Sequence, residues 1–197
     1  MKSLLLHPQL ICMYLVAALS MGTFVSVYNY LSVLLVSPAF GLSHEVVAMI
    51  FMMYTAGVAG SLVTGRLSDR YNPGMLLQWA LLLMCVGLVL LLVMHLGVLI
   101  LGLGLFTFAF FGTHTMASRI VSAHAAFAKS TATSIYWLFY YAGSSLIGSL
   151  TGIVFARYGW NLFVELLLVL TVMALAVAVV PVAHVWYSRF RVQVARN

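Results

Sequence analysis

Residues 65–74 read Gly65-Arg66-Leu67-Ser68-Asp69-Arg70-Tyr71-Asn72-Pro73-Gly74, a short charged segment between two long apolar runs. Charged residues make up 6% of this chain of 197 residues, whereas a soluble domain contains roughly 25%. The chain has nine Lys or Arg and three Asp or Glu, and Arg66, Asp69 and Arg70 lie together here. Such a concentration of scarce charges indicates that the segment is a turn with a specific role.

The composition places the chain in a lipid bilayer. Hydrophobic residues account for 64% of the sequence, more than a domain with a wet exterior needs. A lipid-facing exterior requires that every backbone polar group is satisfied inside the structure, as in an α-helix. The apolar runs are continuous and do not alternate with polar residues as transmembrane β-strands do. We therefore predict an all-α polytopic membrane protein.

Six runs are long enough to cross the bilayer, which takes about 20 apolar residues. They cover approximately residues 10–36, 45–64, 75–94, 97–118, 131–156 and 160–183. The first run exceeds the roughly 7–15 residues of a signal-peptide core, so we interpret it as a retained helix. Together the runs predict a single six-helix transmembrane bundle over residues 1–197.

The basic residues predict the orientation of this bundle. With a cytoplasmic N-terminus, eight of the nine Lys and Arg residues fall on the cytoplasmic side: Lys2, Arg66, Arg70, Arg119, Lys129, Arg189, Arg191 and Arg196. Only Arg157 falls outside. Because cytoplasmic loops carry the excess of Lys and Arg, we expect both termini inside, in a multi-pass protein of the cell inner membrane. The net charge of +6 then reflects topology, and no basic patch apart from the membrane edges indicates nucleic acid as a partner.

A weak internal repeat relates the two halves of the chain. A shift of 87 residues superposes five identical residues: Tyr54, Thr64, Gly65, Arg70 and Tyr71 on Tyr141, Thr151, Gly152, Arg157 and Tyr158. The two sets end the second and the fifth run, which leave the membrane on opposite sides. We interpret this as a 3+3 inverted repeat, an arrangement found in secondary transporters.

Small residues recur every four positions in these same two runs. They are Ala56, Gly60 and Thr64 in the second run, and Ser144, Gly148 and Gly152 in the fifth. Small residues at this spacing let two helix backbones approach closely. The spacing therefore favours plain helix packing, and a sliding contact during a conformational change would build on the same packing.

The charged turn resembles the signature loop of the major facilitator superfamily, a Gly-x-Leu-x-Asp-Arg core. Gly65, Leu67, Asp69 and Arg70 match it in spacing. The following residues, Asn72-Pro73-Gly74, depart from the usual Gly-Arg-Arg or Gly-Arg-Lys, as is typical of the second half of that family. Six spans, internal termini and an inverted repeat fit the C-terminal half of a twelve-helix fold.

Two further stretches resemble the tenth and eleventh helices of bacterial sugar-efflux and multidrug exporters in the superfamily. They are residues 110–114, Phe-Phe-Gly-Thr-His, and residues 140–145, Tyr-Tyr-Ala-Gly-Ser-Ser. The resemblance covers essentially the whole chain. It implies that Gly65, Asp69 and Arg70 form a cytoplasmic gate, with Asp69 at a neighbouring helix N-terminus and Arg70 in ion pairs. The alternative for Asp69 and Arg70 is a solvated loop pair.

Polar side chains inside a bilayer usually face a cavity or another helix. On this basis the candidate cargo-binding residues are Tyr28, Asn29, His114, Tyr140, Tyr141 and Ser144. His114 and Glu165 are the candidates for proton coupling. Each has a structural alternative: His114 as a hydrogen-bonded packing residue, Glu165 as an interfacial partner of Arg157. Tyr136 and Trp137, in the same stretch, fit an interfacial aromatic belt better than a binding site.

The sequence contains no pattern typical of an enzyme. There is no Gly-x-x-x-x-Gly-Lys loop for a nucleotide, and three carboxylates leave little scope for acid–base catalysis. Cys12 and Cys85 lie at different depths and lack metal-ligand spacing. We therefore predict no catalytic activity, no cofactor and no metal site.

Two functions remain open from the sequence. The first is one half of a secondary active carrier, which moves a sugar or a drug-like molecule by proton-coupled efflux and alternating access. Its partners are the lipid bilayer, a small-molecule cargo and a second six-helix bundle, either an N-terminal half or a second copy. The second is a six-span membrane subunit, or a truncated fragment, that does not transport without a partner bundle.

Overall fold

The computed structural model describes the backbone of residues 7–125 and 128–194, and the side chains of these ranges up to residue 180. Helices account for nearly all of it, and the described residues contain no strand. The elements are α1 (Pro8–Val36), α2 (His44–Ile50), a 3-10 turn (Phe51–Met53), α3 (Tyr54–Leu67), α4 (Pro73–Leu90), α5 (Leu96–His124) and α6 (Lys129–Val194). The 3-10 turn joins α2 and α3 without a loop.

The 66-residue element α6 folds back on itself at Gly159. The backbone there is non-helical, with φ 80° and ψ −172°, a conformation that glycine adopts without the steric cost of a Cβ. The rings of Phe155 and Phe163 lie 5.6 Å apart across this point, whereas eight residues of straight helix span about 12 Å. We call residues 129–158 the first arm of α6 and residues 160–194 its second arm.

Five helical stretches are long and apolar enough to cross a membrane: Pro8–Val36, His44–Leu67, Pro73–Leu90, Leu96–His124 and Lys129–Val180. This confirms the prediction of an all-α chain with several membrane-crossing helices. The last stretch holds 52 residues, about 78 Å of straight helix, and it contains the reversal at Gly159. The fifth and sixth predicted spans correspond to its two arms, and the count of six spans stays a prediction.

The closest packing joins α1 to the first arm of α6. Contacting pairs recur every four residues with a constant difference of 125: Tyr14–Phe139, Ala18–Gly143, Gly22–Ile147, Ser26–Thr151 and Tyr30–Phe155. A constant difference means that the two helices run parallel. At Gly143 the backbones approach so closely that a Cβ would overlap the carbonyl oxygen of Ala18. We call this set of five pairs the α1–α6 ladder.

One rung of the ladder is polar. The hydroxyl oxygens of Ser26 and Thr151 lie 2.8 Å apart. Each hydroxyl also lies within hydrogen-bond distance of a carbonyl oxygen of its own helix, 2.7 Å for Ser26 to Gly22 and 2.8 Å for Thr151 to Ile147. Both hydroxyls are therefore satisfied in the interior, as a low-polarity surrounding requires.

Four of the six small residues that recur every four positions lie at helix–helix contacts. A Cβ on Gly60 would overlap the carbonyl group of Phe108 in α5, and Thr64 lies against Gly112 of the same helix. Gly148 and Gly152 face the side chains of Val25 and Tyr30 of α1. These contacts agree with the packing interpretation.

The remaining contacts fix the direction of each helix. α3 runs parallel to α5, with the contacts Met53–Gly104, Thr64–Gly112 and Ser68–Arg119. α4 runs antiparallel to α5, with Ala80 at Gly112 and Gly87 at Phe106. α4 also lies beside the second arm, where the Trp160 indole donates a 2.7 Å hydrogen bond to the Leu91 carbonyl. The Gln78 amide donates to the Ala178 carbonyl at 3.4 Å, so this pair is antiparallel too.

These directions give the bundle two ends. We call one the Asp69 end; His7 and His124 lie there, with their rings 6.4 Å apart. We call the other the Trp160 end, where Trp160 donates its hydrogen bond to Leu91. Among residues with described side chains, the cations at the Asp69 end are Arg66, Arg70, Arg119 and Lys129. Arg157, two residues before Gly159, lies at the Trp160 end. The described cations are therefore segregated as the topology prediction requires, whereas residues 189–196 lie outside the described side chains.

We expect Gly143→Ala to destabilise the bundle, because the added methyl group must separate α1 from the first arm. Overpacking of this kind costs about 1–3 kcal/mol. Gly65→Ala is the matched control, since a Cβ there meets no atom within 4 Å. Both variants should be heated in detergent, and the fraction that stays monodisperse on size exclusion should be measured. Equal loss in the two variants would mean that the α1–α6 ladder is not a tight contact.

Candidate functional site

An aromatic hub lies where α1, α3 and α5 meet. Phe24 of α1 is 3% exposed and contacts five other rings. They are Phe110 at 4.0 Å, Tyr28 at 4.8 Å, Tyr54 at 5.6 Å, and Phe106 and Phe111 at 5.9 Å each, between ring centroids. The Phe24 and Phe110 rings stack, while Tyr54 and Phe111 present their edges. Such offset and edge contacts add to the energy of burial, so the hub holds three helices together.

Tyr28 belongs to the interior side of this hub. It is buried, and its hydroxyl lies 2.7 Å from that of Thr107 in α5. Thr107 donates its own proton to the Leu103 carbonyl at 2.7 Å. The Tyr28 hydroxyl is then the donor to Thr107, because a threonine hydroxyl has a single proton.

A second aromatic group, the His114 cluster, joins α5 to the first arm of α6. It consists of His114, Tyr136, Trp137, Tyr140 and Tyr141. The ring of His114 lies 5.0 Å from Tyr140, 5.3 Å from Trp137 and 5.6 Å from Tyr136. Its Nδ1 is 2.9 Å from the Tyr136 hydroxyl oxygen. The cluster therefore combines a fixed imidazole with four ring faces.

Exposure divides this cluster into an anchored and an open part. Tyr136 is 1% exposed, whereas Trp137 is 38% and Tyr141 is 60% exposed. Trp137 stacks on Tyr141 at 5.7 Å, and Tyr140 meets both edge-on at 5.0 and 5.4 Å. Phe110 lies 6.5 Å from Tyr140 and connects the cluster with the hub. One aromatic surface thus extends over α1, α3, α5 and the first arm.

The charged turn forms an ion pair that reaches across to α5. A guanidinium nitrogen of Arg119 lies 3.3 Å from the carboxylate of Asp69, and Arg119 also donates to the Ser68 hydroxyl. Ser68 in turn donates to the Gly65 carbonyl at 2.6 Å. We call Ser68, Asp69 and Arg119 the latch. It ties the end of α3 to the last turns of α5 at the Asp69 end.

The latch differs from what the resemblance implied for Asp69 and Arg70. The N-terminus of α4 is capped by Asn72, whose side-chain oxygen accepts from the Gly74 backbone N–H at 2.8 Å. Asp69 binds Arg119 instead of this helix end. Arg70 is exposed and forms no ion pair within the described residues. Gly65 lies one turn before Asp69 and meets no neighbour that a Cβ would touch.

Two predicted site residues lie away from the aromatic surface. Asn29 is exposed on α1 and follows the buried Tyr28. Glu165 is exposed on the second arm and forms no ion pair with Arg157 within the described residues. Ser144 is half-buried one turn beyond Tyr140, on the same face of the first arm. The structure thus brings His114, Tyr140 and Tyr141 together with Ser144 beside them, reaches Tyr28 through the hub, and leaves Asn29 and Glu165 apart.

Several residues of this site were missed in the sequence. Arg119 was interpreted only as a topology signal, although a cation on α5 at the same membrane edge as Asp69 is a candidate partner for that carboxylate. Phe106 and Phe110 are four residues apart, and Phe24 and Tyr28 likewise, which puts each pair on one helix face. Which faces meet depends on tertiary packing, and no pattern within one helix reveals it.

The chain belongs to the Major Facilitator Superfamily, because the model of that family matches residues 5–194. Membership of this superfamily of transporters confirms the resemblance noted in the sequence and the prediction that the chain is not an enzyme.

Curated relatives are transporters as well. An "Uncharacterized transporter" of Buchnera aphidicola subsp. Schizaphis graminum is 36% identical over 163 residues, covering 81% of this chain and 40% of the relative. The "Uncharacterized MFS-type transporter YybF" of Bacillus subtilis is 34% identical, covering 77% and 38%. The "Inner membrane transport protein YnfM" of Escherichia coli is 34% identical, covering 79% and 38%. The chain therefore spans about two fifths of the length of the curated relatives it matches.

A solved structure supports the fold. The crystal structure of the POT family transporter PepTSo superposes with a TM-score of 0.76 at 18% sequence identity, and the match covers 93% of this chain and 37% of that one. At this identity the likeness concerns the fold alone.

The hub and the latch should differ sharply in their effect on stability. Phe24→Ala removes a buried ring, which costs about 3–5 kcal/mol. Asp69→Asn should lower the free energy of unfolding by less than about 1 kcal/mol, because an exposed ion pair contributes little; the side chains of Arg119 and Asp69 are 47% and 70% exposed. Denaturant unfolding in detergent, followed by circular dichroism, measures both. Equal losses would contradict the assignment of the hub as the packing centre.

Proposed function

We propose that this chain is one half of a secondary active carrier and supplies one wall of its transport path. The observation that carries the proposal is the aromatic surface of the hub and the His114 cluster. It has an open part, Trp137, Tyr141 and Tyr54, the last being 40% exposed. These rings lie next to the imidazole of His114, a polar group that usually faces a cavity or another helix inside a bilayer. Cargo would bind on this surface, between the chain and a second bundle.

The two ends of the bundle support alternating access around that surface. Membership of the superfamily supports rocking of two bundles about a site near the middle of the membrane. The latch lies at the Asp69 end, outside the His114 cluster, so it is placed to close one end of the path. The excess of described cations at this end supports its assignment as the cytoplasmic side, in the inner membrane. The reversal at Gly159 supports six spans, with the two arms of α6 as the last two.

Proton-coupled efflux of a sugar or a drug-like molecule is the specific activity we propose. His114 supplies the imidazole of the aromatic surface, and its Nδ1 is already bound to Tyr136, which leaves Nε2 as the ring atom that can exchange a proton. Glu165 stays a second candidate. Glu165 is exposed on the second arm, away from the cargo surface, so we assign proton coupling to His114 first.

A second bundle completes the path in this proposal. The chain aligns with about two fifths of the length of its relatives. The helical stretch α2–α3 is the least buried of the five candidate spans, since 17% of its most apolar stretch is buried. That exposed surface supports contact with lipid or with a partner bundle. The partner is an N-terminal half or a second copy of this chain.

Transport should depend on the latch and on His114. The test protein is this chain joined to the part of Escherichia coli YnfM that the chain does not match, in everted vesicles with an imposed proton gradient. Isopropyl thiogalactoside and ethidium serve as the sugar and drug-like probes, and a pH-sensitive dye reports proton exit. Asp69→Asn and Arg119→Gln should each reduce probe movement at least tenfold, because the path no longer closes. His114→Gln should abolish proton exit that depends on the probe.

Controls separate a gate from general damage. Asp69→Arg combined with Arg119→Asp restores opposite charges and should recover part of the activity, whereas Arg66→Gln removes an exposed cation outside the latch and should have little effect. Normal assembly without probe movement in the unaltered chimera would contradict the carrier and favour a non-transporting membrane subunit.

A further inference from the structure

We infer that Tyr136 is a positioning residue: it holds His114 as a neutral imidazole with its proton on Nε2, and it thereby suppresses proton movement that is not tied to cargo. The inference rests on the proposed function and deepens it, because it names the residue that controls when His114 can load a proton. It is carried by the hydrogen bond between the two side chains and by the surroundings of the Tyr136 hydroxyl.

The first step identifies the donor of this hydrogen bond. The Tyr136 hydroxyl oxygen lies 2.9 Å from Nδ1 of His114, and a phenol has a single proton to donate. Tyr136 is 1% exposed, and its hydroxyl has no other hydrogen-bond partner among the described residues. If Nδ1 donated, the O–H of Tyr136 would be buried without an acceptor, which is costly. Tyr136 is therefore the donor and Nδ1 the acceptor.

The second step follows from this assignment. A neutral imidazole carries one proton on its two nitrogens, so with Nδ1 as the acceptor that proton is on Nε2. His114 is only half-buried, and its Nε2 forms no hydrogen bond with the described residues. In this state the ring is a donor through Nε2 and has no nitrogen free to take up a proton.

The third step concerns the second proton. An imidazolium carries a proton on both nitrogens, so Nδ1 could no longer accept from Tyr136, and the phenol O–H would be stranded in the interior. Loading of His114 therefore requires that the first arm moves against α5 and opens the bond. Until then the imidazole stays neutral, and protons do not pass through it.

No carboxylate offsets this cost. Glu45, Asp69 and Glu165 are the three acids of the chain; none forms an ion pair with His114, and Asp69 is bound to Arg119. The other titratable or charged groups around the ring are Tyr140 and Tyr141 of the first arm, Tyr14 and Tyr28 of α1, Tyr54 of α3 and Arg119 of α5. Within the described part of the chain, Tyr136 alone forms a hydrogen bond with the imidazole.

The first experiment determines the tautomer by NMR of the full chain, with isotope-labelled histidine nitrogens, in lipid nanodiscs. The His114 signals are those that His114→Gln removes. We expect an unprotonated Nδ1 and a protonated Nε2. Tyr136→Phe keeps the ring and removes the hydroxyl, so at mildly acidic pH the ratio of protonated to neutral His114 should rise about fivefold or more, because no donor is stranded.

Tyr14→Phe is the matched control. Tyr14 is also 1% exposed and packs on Phe139 of the first arm, but its hydroxyl has no hydrogen-bond partner among the described residues. This variant should leave the tautomer and the ratio unchanged. A protonated Nδ1 in the neutral ring of the unaltered chain would overturn the inference, even if Tyr136→Phe did not assemble. Equal ratios in Tyr136→Phe and Tyr14→Phe would also overturn it.

Proton movement without cargo is the functional readout. In vesicles that hold the chimera, with an imposed proton gradient and no probe, Tyr136→Phe should raise the rate of proton movement several-fold. Tyr136→Phe combined with His114→Gln should return the rate to that of the unaltered chimera. A leak that persists in the double variant would contradict the inference, since its protons would not pass through His114.

The positioning role and the carrier proposal fail in different ways. Proton exit that depends on the probe, together with an unchanged leak in Tyr136→Phe, would leave the carrier standing and overturn the positioning role. The expected tautomer and its change in Tyr136→Phe, in a chimera that moves neither probe nor protons, would support the hold on His114 and contradict the carrier.

Discussion

The α1–α6 ladder is the constraint on which the rest of the bundle depends. In lipid, burial of apolar surface gives little reason for one helix to choose another, so close backbone contact and interior hydrogen bonds must do so. Gly22 and Gly143 permit that approach, and no residue with a side chain fits at Gly143 without displacing α1. Once the first arm is fixed parallel to α1, the reversal at Gly159 returns the second arm beside α4. The aromatic hub then fixes α3 and α5 against α1.

Much of this fold could be predicted from the sequence because a bilayer simplifies the problem. Continuous apolar runs give the helices, scarce cations give the two ends, and small residues at four-residue spacing give the close contacts. The predicted boundary between the fifth and sixth apolar runs lies at residues 157–160, where the structure shows the reversal at Gly159. What the sequence does not contain is the choice of partners. The difference of 125 between α1 and α6 is a tertiary register, and no local pattern in either helix encodes it.

The candidate site shows the same division. His114, Tyr140 and Tyr141 were predicted because polar groups inside a membrane are costly and therefore informative. Trp137 was assigned to an interfacial belt because composition alone does not distinguish a belt from a cluster, and the structure places its ring 5.3 Å from His114. Asp69 was predicted as a gate residue through its motif, whereas its partner Arg119 is 50 residues away in sequence. In each case the sequence predicted a functional residue but not the residue that contacts it in the fold.

The polar rung of the ladder has a consequence for motion. The hydroxyls of Ser26 and Thr151 carry two protons in total, yet the geometry allows three short hydrogen bonds. One joins the two hydroxyls, and each hydroxyl has one to a carbonyl oxygen of its own helix. One of the three bonds is therefore missing at any instant, and exchanging which one requires only a hydroxyl rotation. If the two helices shift by part of a residue, each hydroxyl retreats to its own carbonyl and no polar atom is stranded in hydrocarbon. The Ser26–Thr151 rung therefore sets the register of the two helices, yet its hydrogen bonds allow a small shift between them at little energetic cost.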